Sequence, residues 1–193
     1  MEVSRLTLAE LLAERRPHRA DARRNFDALV AAATEAYTEL GADVAMEEIA
    51  RRAGVGIATL YRNFPTRTDL MEYVYLTSVD ELVRYGRQLD RADPWAALSG
   101  WLSRFVTHLA TKHVLTTVLT RESAAYLPSR EAIYGVADPL FELARRAGAV
   151  RADLTADDVM RLVFAVTAGI YVDDAQRERA IGIVLDGIRS PAR

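Results

Sequence analysis

The stretch MEEIARRAGVGIATLYRNF, residues 46–64, contains two short helical patterns separated by Gly54. Glycine adopts a positive φ at little cost, which suits a tight turn between helices. The apolar positions can face one small core: Ile49, Ala53, Val55, Leu60 and Phe64. Polar side chains on the second helix point the other way: Thr59, Tyr61, Arg62 and Asn63. This arrangement is typical of a helix-turn-helix, whose second helix is held outward.

The sequence on both sides also indicates helices. Apolar residues recur at helical spacing from Phe26 to Leu40, and Gly41 follows them. This predicts helices over 22–40, 46–53 and 57–63, and then a long helix of about 24 residues from Thr66. Asp93 before Pro94 predicts the start of a helix at about 94–112, and another is predicted at about 114–126. Pro128 opens a further helix with a kink or break at Pro139. Thr155 with Asp158 predicts a capped helix over about 155–172, and a last helix covers about 175–188. No sustained alternating pattern predicts a strand, so the expected fold class is all-α.

Residues 49–70, IARRAGVGIATLYRNFPTRTDL, resemble the DNA-binding signature of the TetR (tetracycline-repressor-like) family of bacterial regulators. The matching positions are Ile49, Ala50, Ala53, Gly54, Val55, Thr59, Leu60, Tyr61, Phe64 and Leu70. The resemblance implies an N-terminal three-helix helix-turn-helix domain over residues 1–67, with an N-terminal arm. A long helix would join it to a C-terminal helical ligand-binding and dimerisation domain over 68–193.

The resemblance also implies a role for individual side chains. Tyr61 and Arg67 would contact phosphates, with Thr59 assisting at the DNA backbone. The face toward the base edges would consist of Ile57, Ala58, Arg62 and Asn63. Arg23 and Arg24 would reach phosphates from the start of the first predicted helix.

Three positions depart from the family pattern. Gly56 replaces the usual serine before the recognition helix, and Ala58 replaces a glycine. Ala45 stands where threonine often caps the preceding helix, which leaves Asp43 as the alternative cap. Two interpretations stay open for the arginines between Arg15 and Arg19: a solvated tail, or an arm that enters the minor groove.

In the C-terminal part, the resemblance implies a homodimer formed through the last two helices and a pocket for an unknown small molecule. The candidate ligand-binding residues are Trp101, Phe105, His108, Glu122, Tyr126, Tyr134 and Phe164. Aromatic residues at helical spacing more often form a plain core, and this interpretation of the aromatic residues stays open. The pairs Asp157-Asp158 and Asp173-Asp174 are interpreted as helix caps and turn acids.

Composition narrows the function classes. The chain has 193 residues, a net charge of −2 and no cysteine, so a thiol nucleophile and thiolate metal ligands are excluded. The longest apolar run, residues 162–172, is too short to cross a bilayer. We expect a cytoplasmic protein with no metal, no cofactor and no enzymatic activity.

The predicted function is a DNA-binding transcriptional regulator, a repressor released from a palindromic operator by a small molecule. The alternative is a helical ligand-binding or interaction protein with weakened DNA binding, which the lost serine and threonine positions motivate.

Overall fold

The computed structural model describes residues 6–115 and 123–190, with side chains for 6–109 and 123–190. Within these ranges the fold is all-α, as the sequence predicts, with one isolated β-bridge between Val150 and Arg189. The helices are α1 (Leu8–Arg15), α2 (Ala20–Leu40), α3 (Met46–Arg52), α4 (Ile57–Asn63), α5 (Arg67–Gln88), α6 (Pro94–Leu115), α7 (Tyr126–Arg146), α8 (Ala156–Thr167) and α9 (Asp174–Ile188).

Helix α1 is not among the elements that the sequence analysis predicts. Thr7 and Glu10 form a reciprocal capping box at its start. Leu8 and Leu11 are buried, and the Tyr73 hydroxyl donates to the Leu12 carbonyl at 3.3 Å. The residues before the predicted first helix therefore include a helix of their own, which is capped at its start and packs its leucines against the first unit.

The middle helices differ in several bounds from the predicted ones. Of the helix predicted over 114–126, residues 114 and 115 belong to α6, 116–122 lie outside the described residues, and 123–125 form a turn. Helix α8 ends at Thr167, before the predicted residue 172. Asp93 caps α6 by accepting from the Ala96 amide at 2.9 Å, and Pro94 occupies the first helical position. Helix α7 begins at Tyr126, before Pro128, and continues through Pro139 without the predicted break. Pro139 has no N–H to donate to the Gly135 carbonyl four residues earlier. Both residues are exposed, so water can bond that carbonyl instead.

The chain packs as two compact units. The first consists of Met1–Asp80 and Val114–Ala132, and the second of Glu81–His113 and Ile133–Arg193. The unit boundaries fall inside α5, α6 and α7. They describe packing, and the predicted functional division at residues 67 and 68 stays a prediction.

The core of the second unit is built around Trp101, whose side chain is fully buried and stacks on Phe105 at 5.5 Å between ring centroids. Thr155 and Asp158 cap α8 reciprocally, and Asp173 caps α9, as the sequence predicts. The Tyr134 hydroxyl donates to Asp157 at 2.8 Å and so links α7 to α8.

Candidate nucleic-acid interface

The first unit holds its short helices on a compact aromatic core. The Phe26 ring lies 4.8 Å from Phe64 and 4.7 Å from Tyr73, edge-on in the second case. Ile49 and Leu60 are completely buried beside them. Burial of these side chains from α2, α3, α4 and α5 fixes the short helices, which are too short to be stable alone.

The turn between α3 and α4 has the geometry of a helix-turn-helix. Gly54 has φ +68°, which an L side chain rarely adopts. The Val55 amide donates to the Ala50 carbonyl at 3.1 Å and closes the turn. Ala50 is 2% exposed, and its small side chain lets neighbouring helices approach closely.

Helix α4 turns one side into this core and the other toward solvent. Leu60 is buried, whereas Ile57, Ala58, Tyr61 and Arg62 are exposed, Tyr61 at 45%. Thr59 and Asn63 are half-buried at the edge of the exposed face. The predicted base-reading and phosphate-binding side chains of α4 therefore lie together on one accessible surface.

The polar groups on this surface are partly ordered by bonds within α4. Arg62 Nη2 donates to the Thr59 hydroxyl at 2.8 Å, and Asn63 Nδ2 donates to the Thr59 carbonyl at 2.7 Å. Both side chains are thereby held before any ligand is present, which lowers the entropy lost on binding.

Helix α3 is held by a charged network that the sequence analysis did not single out. Arg51 and Arg52 both donate to Glu48 and lower the pKa of its carboxyl to about 2. Arg52 also donates to Glu39 at 2.7 Å, which joins α3 to α2. The spacing of Glu48 and Arg52, four residues apart on a helix, is the sequence signal that could have indicated the pair.

The predicted phosphate-binding arginines outside α4 differ in their surroundings. Arg23 and Arg24 are exposed in the first turns of α2, where Arg24 pairs with Asp21. Arg67, the first residue of α5, instead donates to the carbonyl oxygens of Ala42 and Val44.

Arg15 and Arg16 are also engaged within the first unit. Arg15 pairs with Glu72 at 2.6 Å, and Arg16 donates to both carboxylate oxygens of Asp27. Both open interpretations of these side chains, as a solvated tail and as a minor-groove arm, leave out these ion pairs.

The candidate ligand-binding residues are brought together only in part. Trp101, Phe105 and His108 are buried and stacked along α6. Phe164 is 51% exposed on α8, whereas Val159, Met160 and Val163 of the same helix are buried. Its place in a pocket wall stays a prediction.

The remaining candidates are Tyr134, Tyr126 and Glu122. Tyr134 is bonded to Asp157. Tyr126 belongs to the first unit, and Trp101 to the second. Glu122 lies outside the described residues.

A cavity of about 10 Å³ adjoins Trp101, with an apolar lining of Leu98, Leu102, Ala137, Phe141, Ala156, Val159 and Met160. This volume is at the limit for one water molecule, so a ligand at this place requires side chains to move. Within the described part of the chain, no group of three His, Asp or Glu side chains is placed to hold a metal ion. In the same part, no helix is long and apolar enough to span a membrane.

Fold and site together define a helix-turn-helix protein with a separate helical unit. Residues 29–74 match the model of "Bacterial regulatory proteins, tetR family", and residues 93–190 match "Transcriptional regulator SbtR-like, C-terminal domain". The second match alone covers half of the chain. The chain therefore belongs to the TetR family of transcriptional regulators and has a helix-turn-helix DNA-binding domain.

Solved structures are similar over nearly the whole chain. A TetR transcriptional regulator from Streptomyces coelicolor is 33% identical with a TM-score of 0.69, over 86% of this chain and 99% of its own. A TetR transcription regulatory protein from Mycobacterium vanbaalenii is 32% identical with a TM-score of 0.68, over 90% and 99%. An HTH-type transcriptional regulator of Staphylococcus aureus is 32% identical over 72 residues, which are 37% of this chain and 39% of that relative.

Proposed function

We propose that the protein is a homodimeric repressor that binds a near-palindromic operator and leaves it when a small molecule binds. DNA recognition is assigned to residues 1–67, and effector binding and dimerisation to 68–193. The exposed face of α4, backed by the buried Leu60, is the single observation that supports the DNA-binding part most directly. The proposed activity is binding, without catalysis.

The chemistry of this face suits the major groove. Arg62 can donate to guanine and Asn63 can bond adenine, while Ile57 or Ala58 can contact a thymine methyl group. The Tyr61 hydroxyl suits a phosphate oxygen. Two copies of α4 in a dimer would enter successive major grooves about 34 Å apart, which favours a near-palindromic site.

The regulatory part follows from family membership and from the buried aromatic stack on α6. We propose that an effector displaces side chains around Trp101 and changes the separation of the two recognition helices through α5. A coupling free energy of about 1 to 3 kcal/mol would weaken DNA binding roughly 5- to 150-fold.

In vitro selection from random duplexes tests the DNA-binding proposal. The expected product is a near-palindrome with half-site centres about 10 base pairs apart, bound with a steep dependence on salt. Arg62→Ala should relax the preference at one base position in each half-site while its neighbours stay selected. Failure to enrich any sequence would refute the proposal.

A second candidate, an interaction protein with weakened DNA binding, is favoured by one observation. Within the described residues, neither Ala45 nor Gly56 supplies a side-chain cap to α3 or α4. Native mass spectrometry of the purified protein, combined with the in vitro selection of duplexes, distinguishes the two functions. A carried ligand with no selected duplex would support the second.

A further inference from the structure

The Arg67 guanidinium is directed at the protein's own backbone. Its Nη1 donates to the Ala42 carbonyl at 3.0 Å and to the Val44 carbonyl. Both acceptors lie in the short loop between α2 and α3, more than twenty residues away in sequence. Hydrogen bonds from a charged donor are about twice as strong as neutral ones.

The loop that receives these bonds leads into the start of α3. Ala45 occupies the N-cap position, and in the described part of the chain no side chain caps α3 there. Helix α3 begins at Met46 with Ala45 at its N-cap position, so Asp43, the predicted alternative cap, lies two residues before that position. The Val44 amide reaches the Gly41 carbonyl only at 3.5 Å.

The surroundings of Arg67 place it at a junction of three elements. Val44 and Met46, on either side of the α3 cap, are buried at 7% and 4% exposure. Burial raises the pKa of Tyr37 on α2 to about 12, and the nearby charge of Arg67 acts in the opposite direction. Arg67, the first residue of α5, therefore bonds the α2–α3 loop and places its charge near Tyr37 of α2.

We infer that Arg67 is a positioning residue for DNA recognition, which acts through the Ala42 and Val44 carbonyls to fix α3, against which α4 packs. Its guanidinium ties the α2–α3 loop to the start of α5 by donating to these two carbonyls, and we assign it this role in place of a phosphate contact. This inference rests on the proposed DNA-binding function.

A comparison of Arg67→Lys with Arg67→Ala separates positioning from phosphate binding. Lysine keeps the charge that a phosphate needs, but its side chain is shorter than that of arginine, so its ammonium nitrogen should not reach the position of Nη1 between the two carbonyls. Positioning predicts that both variants lose about tenfold in affinity for the selected duplex, with an unchanged salt slope. Arg104→Ala, at an exposed arginine of α6 to which no DNA contact is assigned, is the matched control for loss of a surface charge.

Amide hydrogen exchange in the absence of DNA gives a readout that does not depend on the duplex. The amides of Glu48 and Ile49 in α3 should exchange about tenfold faster in both variants. Adding Ala45→Ser to Arg67→Ala gives α3 a side-chain cap and should restore slow exchange of these amides. Thermal unfolding of each variant shows that the comparison is made on folded protein.

The inference is overturned if Arg67→Lys binds like the wild type while Arg67→Ala lowers the salt slope by about one, because that pattern identifies a phosphate contact. It is also overturned if exchange in α3 is unchanged. If the wild-type protein itself binds no duplex, the proposed function fails first, and the role of Arg67 in DNA recognition fails with it.

Discussion

Gly86, near the end of α5, lies where two side chains pack against the helix backbone. A Cβ atom built there would lie 2.3 Å from Val136 Cγ1 and 2.6 Å from both Cδ1 and Nε1 of Trp101. Real Cβ atoms do not approach heavy atoms so closely, so the contact requires glycine. The close approach lets the buried indole of Trp101 lie directly against α5.

We expect Gly86→Ala to destabilise the protein by about 1 to 3 kcal/mol, because overpacking forces the indole or the valine to move. The gain in helix propensity, about 1 kcal/mol, acts against this loss. Urea denaturation measures the net change.

Gly135→Ala on α7 is the matched control for this substitution. In the part of the chain that the structure describes, and leaving aside its two chain neighbours and the backbone of its own helix, no heavy atom lies within 4 Å of a Cβ built at Gly135. Gly135→Ala should therefore raise the free energy of unfolding by about 0.5 to 1 kcal/mol. Equal effects of the two substitutions would contradict the proposed role of Gly86.

Single residues show what local sequence can and cannot indicate. The burial of Ile49, Leu60 and Phe64 follows from helical spacing around a glycine turn, and the structure confirms it. The bonds from Arg67 to the α2–α3 loop join residues distant in sequence, which no local pattern encodes. The hydrophobicity of Phe164 suits a pocket, and its exposed position on α8 depends on how that helix packs, which the local sequence does not encode.

At the scale of elements, α1 is held on the first unit by contacts along α5. Arg15 pairs with one carboxylate oxygen of Glu72, whose side chain is only 13% exposed. The other oxygen of Glu72 accepts from the Ser123 hydroxyl at 2.6 Å. This carboxylate thus joins α1, α5 and the turn before α7.

A double-mutant cycle on Arg15→Gln and Glu72→Gln measures this link. We expect a coupling free energy of about 1 kcal/mol in urea denaturation, because Glu72 is largely shielded from water. Glutamine at position 72 retains an acceptor for Ser123, so the cycle isolates the charge pair.

The control cycle uses Arg24→Gln and Asp21→Gln. That pair is 72% and 87% exposed, and we expect a coupling below about 0.5 kcal/mol. Couplings of equal size in the two cycles would show that α1 gains nothing from the partly buried position of Glu72.

Caps explain which elements the sequence predicts well. Asp93 before Pro94, and Thr155 before Asp158, are local signals, and the helices begin where they indicate. Thr7 and Glu10 carry the same kind of signal for α1. The helix was missed because its stability depends on distant contacts with Glu72 and Tyr73 and not on a long apolar pattern.

At the scale of the whole molecule, the second unit exposes large apolar side chains on and between its last two helices. They are Leu162, Phe164, Ile170, Val172 and Ile183, with exposed fractions from 45% to 102%. Exposed apolar groups of this kind mark interaction surfaces. In the proposed homodimer the same surface of each copy meets its counterpart, so Phe164 would contribute to the interface.

The proposed dimer predicts that Leu162→Glu gives monomers, because a charge at the centre of an apolar interface is left unpaired and desolvated. Leu40→Glu on α2 is the matched control, since Leu40 is also an exposed leucine, at 55% compared with 45% for Leu162. Native mass spectrometry at micromolar concentration should report a dimer for the wild type and for Leu40→Glu, and a monomer for Leu162→Glu.

Loss of the dimer should also weaken DNA binding, since one recognition helix makes about half of the phosphate and base contacts. The Leu162→Glu variant should bind the selected duplex with roughly half the salt slope of the wild type, because it releases about half as many counterions. A variant that stays dimeric would show that the exposed residues of α8 do not form the interface. A monomer with the full slope would show that a single copy provides the whole DNA contact.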